Sequence, residues 1–309
     1  MATFGSIKNK INCSITALGT GTKNCAFEIK LINGIYAIKR NTTIADGDTF
    51  DKTYLQGLVQ AGKAIPLINA IGFVDNSADD TIQETQSGVK IKANLGRYEF
   101  QLEYKKGEYF NKALSSLDSF GAYDIIIVDE AGSFLMTENK SGLAKGFKAG
   151  LFSPEKRKFN DATVATTKML TFQLLDRGEF DDRLVWLDAS ELDFSPDEVD
   201  GINDITASYN VAPSDTDTTV IVDLVSAADS QTALEGLVDA DFLVTVDGVT
   251  TATTWVESAT VPGRYTGTLA ALATNEVVIV QLYDSSANKN VIIKDDCLYR
   301  SNALTATVV

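Results

Sequence analysis

From residue 201 to residue 309 no stretch has the 3.6-residue periodicity of a helix. Short apolar runs recur instead, at 205–210, 218–225, 241–247, 252–257, 264–269, 276–283, 290–294 and 304–309. Asp-Gly, Pro-Gly and Ser/Asn-rich turns separate them. Many short strands in so few residues predict an antiparallel sandwich. The segment holds one cysteine, Cys297, so its core must rest on packing, with Trp255 and Tyr265 as the largest candidates.

This segment ends one side of a compositional break. Residues 1–200 carry 23 basic and 28 acidic residues, a net of −5, whereas residues 201–309 carry 4 and 14, a net of −10. The junction ELDFSPDEVDGIND (191–204) has the composition of an exposed linker. Two domains, 1–200 and 201–309, are expected, with the boundary between residues 195 and 205.

Residues 1–200 read as sheet-rich α+β, a β-sandwich or barrel with short flanking helices. AFEIKLI (26–32) and IYAIKR (35–40) flank Asn33-Gly34, which suits a type I′ hairpin turn. Phe50, Tyr54, Leu55, Leu58 and Val59 share one face of a helix over about 50–61, which Gly62 would end. Tyr98, Phe100, Leu102 and Tyr104 alternate with polar residues, the pattern of a half-buried strand. A second helix is expected over 108–119, with Tyr109, Phe110, Ala113, Leu114 and Leu117 inward. Further strands are expected at 123–129, 133–137, 146–152, 164–175 and 184–188. The whole chain is thus mainly β.

The formal net charge is −15, which disfavours phosphate-driven binding to nucleic acid or anionic membranes. There is no histidine, which removes histidine-based triads, histidine-ligated zinc and the usual proton shuttle near neutral pH. Cys13, Cys25 and Cys297 form no CxxC pair and read as reduced thiols of a protein assembled in a cytoplasm. No apolar run reaches the roughly 20 residues of a membrane-spanning helix, and no secretory apolar core opens the chain.

Two segments imitate a nucleotide site. Gly57-Leu-Val-Gln-Ala-Gly62-Lys63-Ala64 nearly matches a P-loop, and Ile125–Glu130 looks like an apolar strand ending in an acidic pair. Ala64 lacks the Mg²⁺-binding hydroxyl, the glycines fall within a helical stretch, and Pro66 stops any helix starting at the lysine. Helix plus hairpin is the better reading. The paired carboxylates Asp79/Asp80, Asp181/Asp182, Asp215/Asp217, Asp239/Asp241 and Asp295/Asp296 match no calcium loop and read as solvated turns. A glycosidase pair drawn from two separate segments stays open at this stage.

Gly236-Leu237, Asp241-Phe242 through Asp247-Gly248, and Pro262-Gly263-Arg264-Tyr265 through Leu269 resemble the bacterial and phage Ig-like domains. That resemblance spans about 204–309 and implies an Ig-like β-sandwich. Tyr123–Gly132, Gly146–Phe152 and Leu170–Asp176 followed by Glu179-Phe180 resemble the tail tube proteins of tailed bacteriophages. The second resemblance implies a sandwich or barrel flanked by a helix, followed in some members by an Ig-like domain. This chain departs from it in its length and its second helix.

The expected function is a non-enzymatic virion protein, assembled in the host cytoplasm. A tail tube subunit is favoured, forming stacked hexameric rings around a DNA-conducting lumen. An auxiliary capsid or decoration protein, or a surface adhesin or carbohydrate-binding module, are the alternatives. No cofactor is implied. Its partners are further copies of itself, other virion proteins and, through the Ig-like domain, a host surface, without sequence-specific nucleic-acid binding or membrane insertion. Within the loop 40–50, Thr42, Thr43, Ile44, Asp46, Asp48 and Phe50 are the candidate self-association residues.

Overall fold

A computed structural model describes residues 3–9, 28–159 and 166–309. Cys13, Cys25 and the starts of the strands expected at 26–32 and 164–175 lie outside the described residues. The chain is mainly β, with several sheets and few short helices. It divides into two compact units, Met1–Val199 and Asp200–Val309.

The first unit begins with α1 (Phe4–Ile7), β1 (Ile32–Lys39), β2 (Thr43–Ile44), α2 (Lys52–Gln60), β3 (Ala64–Leu67) and β4 (Gly72–Asp75). It continues with β5 (Thr81–Glu84), β6 (Lys90–Asn94), β7 (Glu99–Tyr104), α3 (Glu108–Ser115), β8 (Ser119–Phe120) and β9 (Tyr123–Asp129). Then come β10 (Phe134–Glu138), β11 (Ala144–Lys145), β12 (Phe147–Pro154), β13 (Lys168–Leu174), α4 (Arg177–Asp181) and β14 (Leu184–Leu187).

The main sheet runs β2-β11-β10-β9-β12-β13-β7-β4, and β1 adds to β9 and carries β3 on its other edge. The loop after β3 donates Ala70 N–H to Asn33 O at 2.7 Å, which brings the β4 end of the path back beside β1. The sheet therefore curls around one core built from Ile35, Leu102, Tyr104, Ile125, Leu170 and Phe172, among others. Its opposite face carries a second cluster, in which Phe50 meets Phe4, Phe134 and Phe194 at ring distances of 5.7, 5.3 and 6.2 Å. Because both faces are covered, Ile35–Ile38 and Ile125–Val128 are continuously apolar and buried.

The expected turn at Asn33-Gly34 does not form. β1 runs straight through it, paired with β9 on one side and β3 on the other, with a bulge between Ile32 and Gly34. Glycine is required there for close approach, since a Cβ would lie 2.5 Å from Leu67 O. The turn at Asp129–Gly132 does form. The Asp129 carboxylate accepts Ala131 and Ser133 N–H at 3.0 and 2.8 Å, and β10 returns antiparallel to β9. α2 starts at an Asp51 cap that accepts Tyr54 N–H at 2.8 Å, and Gly62 follows its end with φ 65°. α3 is shorter than expected, ending at Ser115, with Tyr109 and Ala113 exposed and Leu114 buried. β7 alternates as its sequence predicts, with Phe100, Leu102 and Tyr104 inward.

The second unit is a sandwich. Its strands are β15 (Ile202–Val211), β16 (Thr219–Ser226), β17 (Phe242–Val246), β18 (Val249–Thr250) and β19 (Thr254–Glu257). They continue with β20 (Arg264–Thr268), β21 (Val277–Leu282), β22 (Ile292–Lys294), β23 (Cys297–Ser301) and β24 (Leu304–Thr307). One sheet is β19-β20-β16-β15-β23-β22 and the other β18-β17-β21-β24. The core has Phe242 stacked on Trp255 at 4.2 Å and Tyr265 fully buried beside them. Tyr265 Oη donates to Leu234 O and accepts Leu237 N–H at 2.9 and 3.2 Å.

Candidate self-association surface

The loop 40–50 is built into the first unit. Ile44 pairs with Ala144 and is buried, and Phe50 is buried among aromatic rings. Asp48 accepts Ala45 N–H and the Tyr54 hydroxyl at 3.0 and 3.3 Å, while Asp46 binds the Lys8 ammonium at 2.9 Å. Thr43 and Asp46 are exposed and Thr42 half-buried. Ile44 and Phe50, the two apolar residues that suggested a contact surface, are thus core residues, because a strand pairing and an aromatic cluster take them inward.

The other sequence candidates also have local explanations. Gly57–Ala64 spans the end of α2, its glycine turn and the first residue of β3. Ser214 N–H donates to Asp217 within one turn, while Trp255 N–H donates to Asp239 and Thr274 N–H to Asp215, tying together separate segments of the second unit. Asp295 and Asp296 hold consecutive positive φ values of 49° and 65° in the turn between β22 and β23. Among the described residues, no group of three or more His, Cys, Asp or Glu side chains is placed to hold a metal ion. No helix among them is long and apolar enough to cross a membrane. Cys297 is a free, half-buried thiol.

A different surface stands out. Among the described residues β5 and β6 pair only with each other, forming an antiparallel arm between the end of β4 and the start of β7. Every residue of both strands is exposed. Yet residues 89–95 read Val-Lys-Ile-Lys-Ala-Asn-Leu, the alternation of a strand that covers a core. The pairing places Val89 and Ile91 together on one face, with Gln83 opposite Ile91, and Lys90 and Lys92 on the other, while a bulge at Ala93 breaks the alternation before Leu95. Val89, Ile91 and Leu95 remain 57%, 48% and 58% exposed. An isolated two-stranded hairpin is marginal in water, so such an arm needs cover or anchoring.

Anchoring is present at its base. Asp80 receives Lys92 Nζ, Arg177 Nη1 and Gly96 N–H at 2.5, 2.5 and 2.9 Å. Arg177 also holds Asp181 at 2.6 Å, and Asp181 accepts the Tyr98 hydroxyl at 2.5 Å. The Lys92 ammonium, the Gly96 N–H and the Arg177 charge hold the Asp80 carboxyl down at about 2. The Tyr98 hydroxyl, followed by Arg177, holds Asp181 below the usual carboxylate range.

Beside the clasp the end of the curled sheet opens in an apolar recess of about 210 Å³. Phe73, Tyr98, Phe100, Phe172 and Phe180 line it, with Leu31 and Asp75 also at its wall. Sequence reasoning expected none of this recess, because its residues come from five strands or their flanks and one helix. The arm did leave a signal, in the alternation of residues 89–95.

A scan against models of known protein families matches none to this chain, and a search of curated proteins finds no match.

Proposed function

We propose that this chain is a non-enzymatic structural subunit of a virion, most specifically a tail tube protein whose copies form stacked hexameric rings around a DNA-conducting lumen. The observation that carries the reading is the anchored arm, which leaves Val89 and Ile91 exposed side by side on one face. A monomer gains nothing from such an arm, whereas an assembly buries it. The mainly β first unit, with its edge strands, suits ring closure by lateral contacts. The net charge of −15 supports the same reading, because an acidic lumen would let DNA pass without sticking. The non-catalytic reading rests on the lack of histidine and on the structural use of the carboxylates and of the P-loop-like segment.

Electron microscopy of the purified chain tests this directly, and rings or tubes are the expected result. Ile91→Asp, which places a charge on an already exposed site, should abolish them without unfolding the subunit. A wild-type protein that stays monomeric at high concentration and moderate salt overturns the proposal.

A further inference from the structure

The arm and the apolar recess lie at the same end of the first unit. β4 ends and β7 begins there, and the arm is the connection between them. The recess is walled by rings in mutual contact, with Tyr98 to Phe180 at 5.0 Å and Phe73 and Phe172 each 5.6 Å from Phe100. At about 210 Å³ it is smaller than the ~300–1,000 Å³ typical of cofactor and drug-sized sites. An apolar cavity of ~150 Å³ holds one benzene ring, so this recess suits one large apolar side chain, or two small ones.

The same chain therefore carries an apolar projection and an apolar socket. They do not meet within one molecule, since the clasp on Asp80 fixes the base of the arm and the stripe remains exposed. Charge supports a second copy as the partner. Residues 81–95 hold Glu84, Lys90 and Lys92, a net of +1, in a chain of net −15. Lys90 has no ion pair among the described residues, while Asp75 and Asp79 stand exposed beside the socket.

We propose that Val89 and Ile91 of one copy dock in the Phe73/Tyr98/Phe180 socket of a second copy. The inference rests on the self-assembly reading above and adds the surface that receives the arm. Donor and acceptor surfaces differ, so the contact is heterologous, the kind that closes rings or extends filaments.

Full-length variants test it by sedimentation velocity. Ile91→Asp removes the projection and keeps the socket. Leu31→Asp charges an exposed part of the socket wall and keeps the arm. Phe73→Asp is a second socket variant, and circular dichroism checks that each is folded. Each variant alone should associate at least about 30-fold more weakly than wild type, the size of a hot-spot loss. An equimolar mixture of Ile91→Asp with Leu31→Asp should form a one-to-one pair, because one intact projection and one intact socket remain. If both socket variants assemble as wild type does, the arm docks elsewhere and the inference falls while the self-assembly reading stands. If the mixture stays monomeric although each variant is folded, the arm and the socket are not each other's partners and the inference also falls. A monomeric wild type overturns both.

Discussion

Lys145 and Glu179 form an ion pair at 2.6 Å, with side chains only 10% and 4% exposed. Lys148 N–H donates to the other Glu179 oxygen at 2.7 Å, and Lys145 also reaches Gly146 O. Removing one partner strands the other charge. Glu179→Ala should cost about 3–5 kcal/mol, whereas the double variant Lys145→Met/Glu179→Leu should recover most of that loss. Urea titration of the wild type and the two variants checks both outcomes, and a double variant as unstable as the single would contradict this account. In the second unit Gly267 lies under the Trp255 ring, where a Cβ would stand 2.7 Å from ring carbon. Gly267→Ala should therefore destabilise by about 1–3 kcal/mol through overpacking, read as a lowered midpoint in the same titration. Tyr265→Phe should cost a similar ~1–3 kcal/mol, because it leaves Leu234 O and Leu237 N–H without their buried partner.

The arm is the element whose stability is most separable from the rest. Its ladder buries no side chain, so its order depends on the clasp at its base. Asp80→Asn should raise amide exchange across residues 81–95, measured by hydrogen–deuterium exchange, while leaving β9 and β13 as protected as before. The Asp80 carboxyl is depressed, so its stabilising effect is present above the ordinary carboxylate range and is lost as pH falls through about 2. A spectroscopic label on the arm should accordingly loosen between about pH 4 and pH 2, and Asp80→Asn should remove that transition. The elements differ in how far their sequences announced them. The β9–β10 hairpin was legible because Asp129 and Gly132 make its turn with local chemistry. Asn33-Gly34 misled, since its turn preference is also local but two flanking strands claim its backbone. The arm was overlooked because polar residues surround its alternation, although the pattern is unbroken from Val89 to Leu95. The socket could not be read at all, since only the register of β4, β7 and β13 brings Phe73, Phe100 and Phe172 together.

At the scale of the molecule, each unit has its own core, and the second is a sandwich of about the size that folds alone. A fragment covering 200–309 should unfold in one cooperative step worth on the order of 5–10 kcal/mol. Calorimetry checks this, and a fragment lacking a transition would mean that its core needs residues 1–199. The first strand of that unit sets a timetable for it. β15 lies between β16 and β23, and it pairs in parallel with β23, Ile202 beside Leu298 and Ile205 beside Ser301. Val308 is buried in the same core. A ribosome that has just synthesised β15 must therefore make almost the entire unit before the strand's second neighbour exists. Residues 1–199 need no such delay, because every strand of their sheet precedes Val199. During synthesis the two halves would mature in order, the first on the ribosome and the second only once residues 298–308 have cleared the exit tunnel.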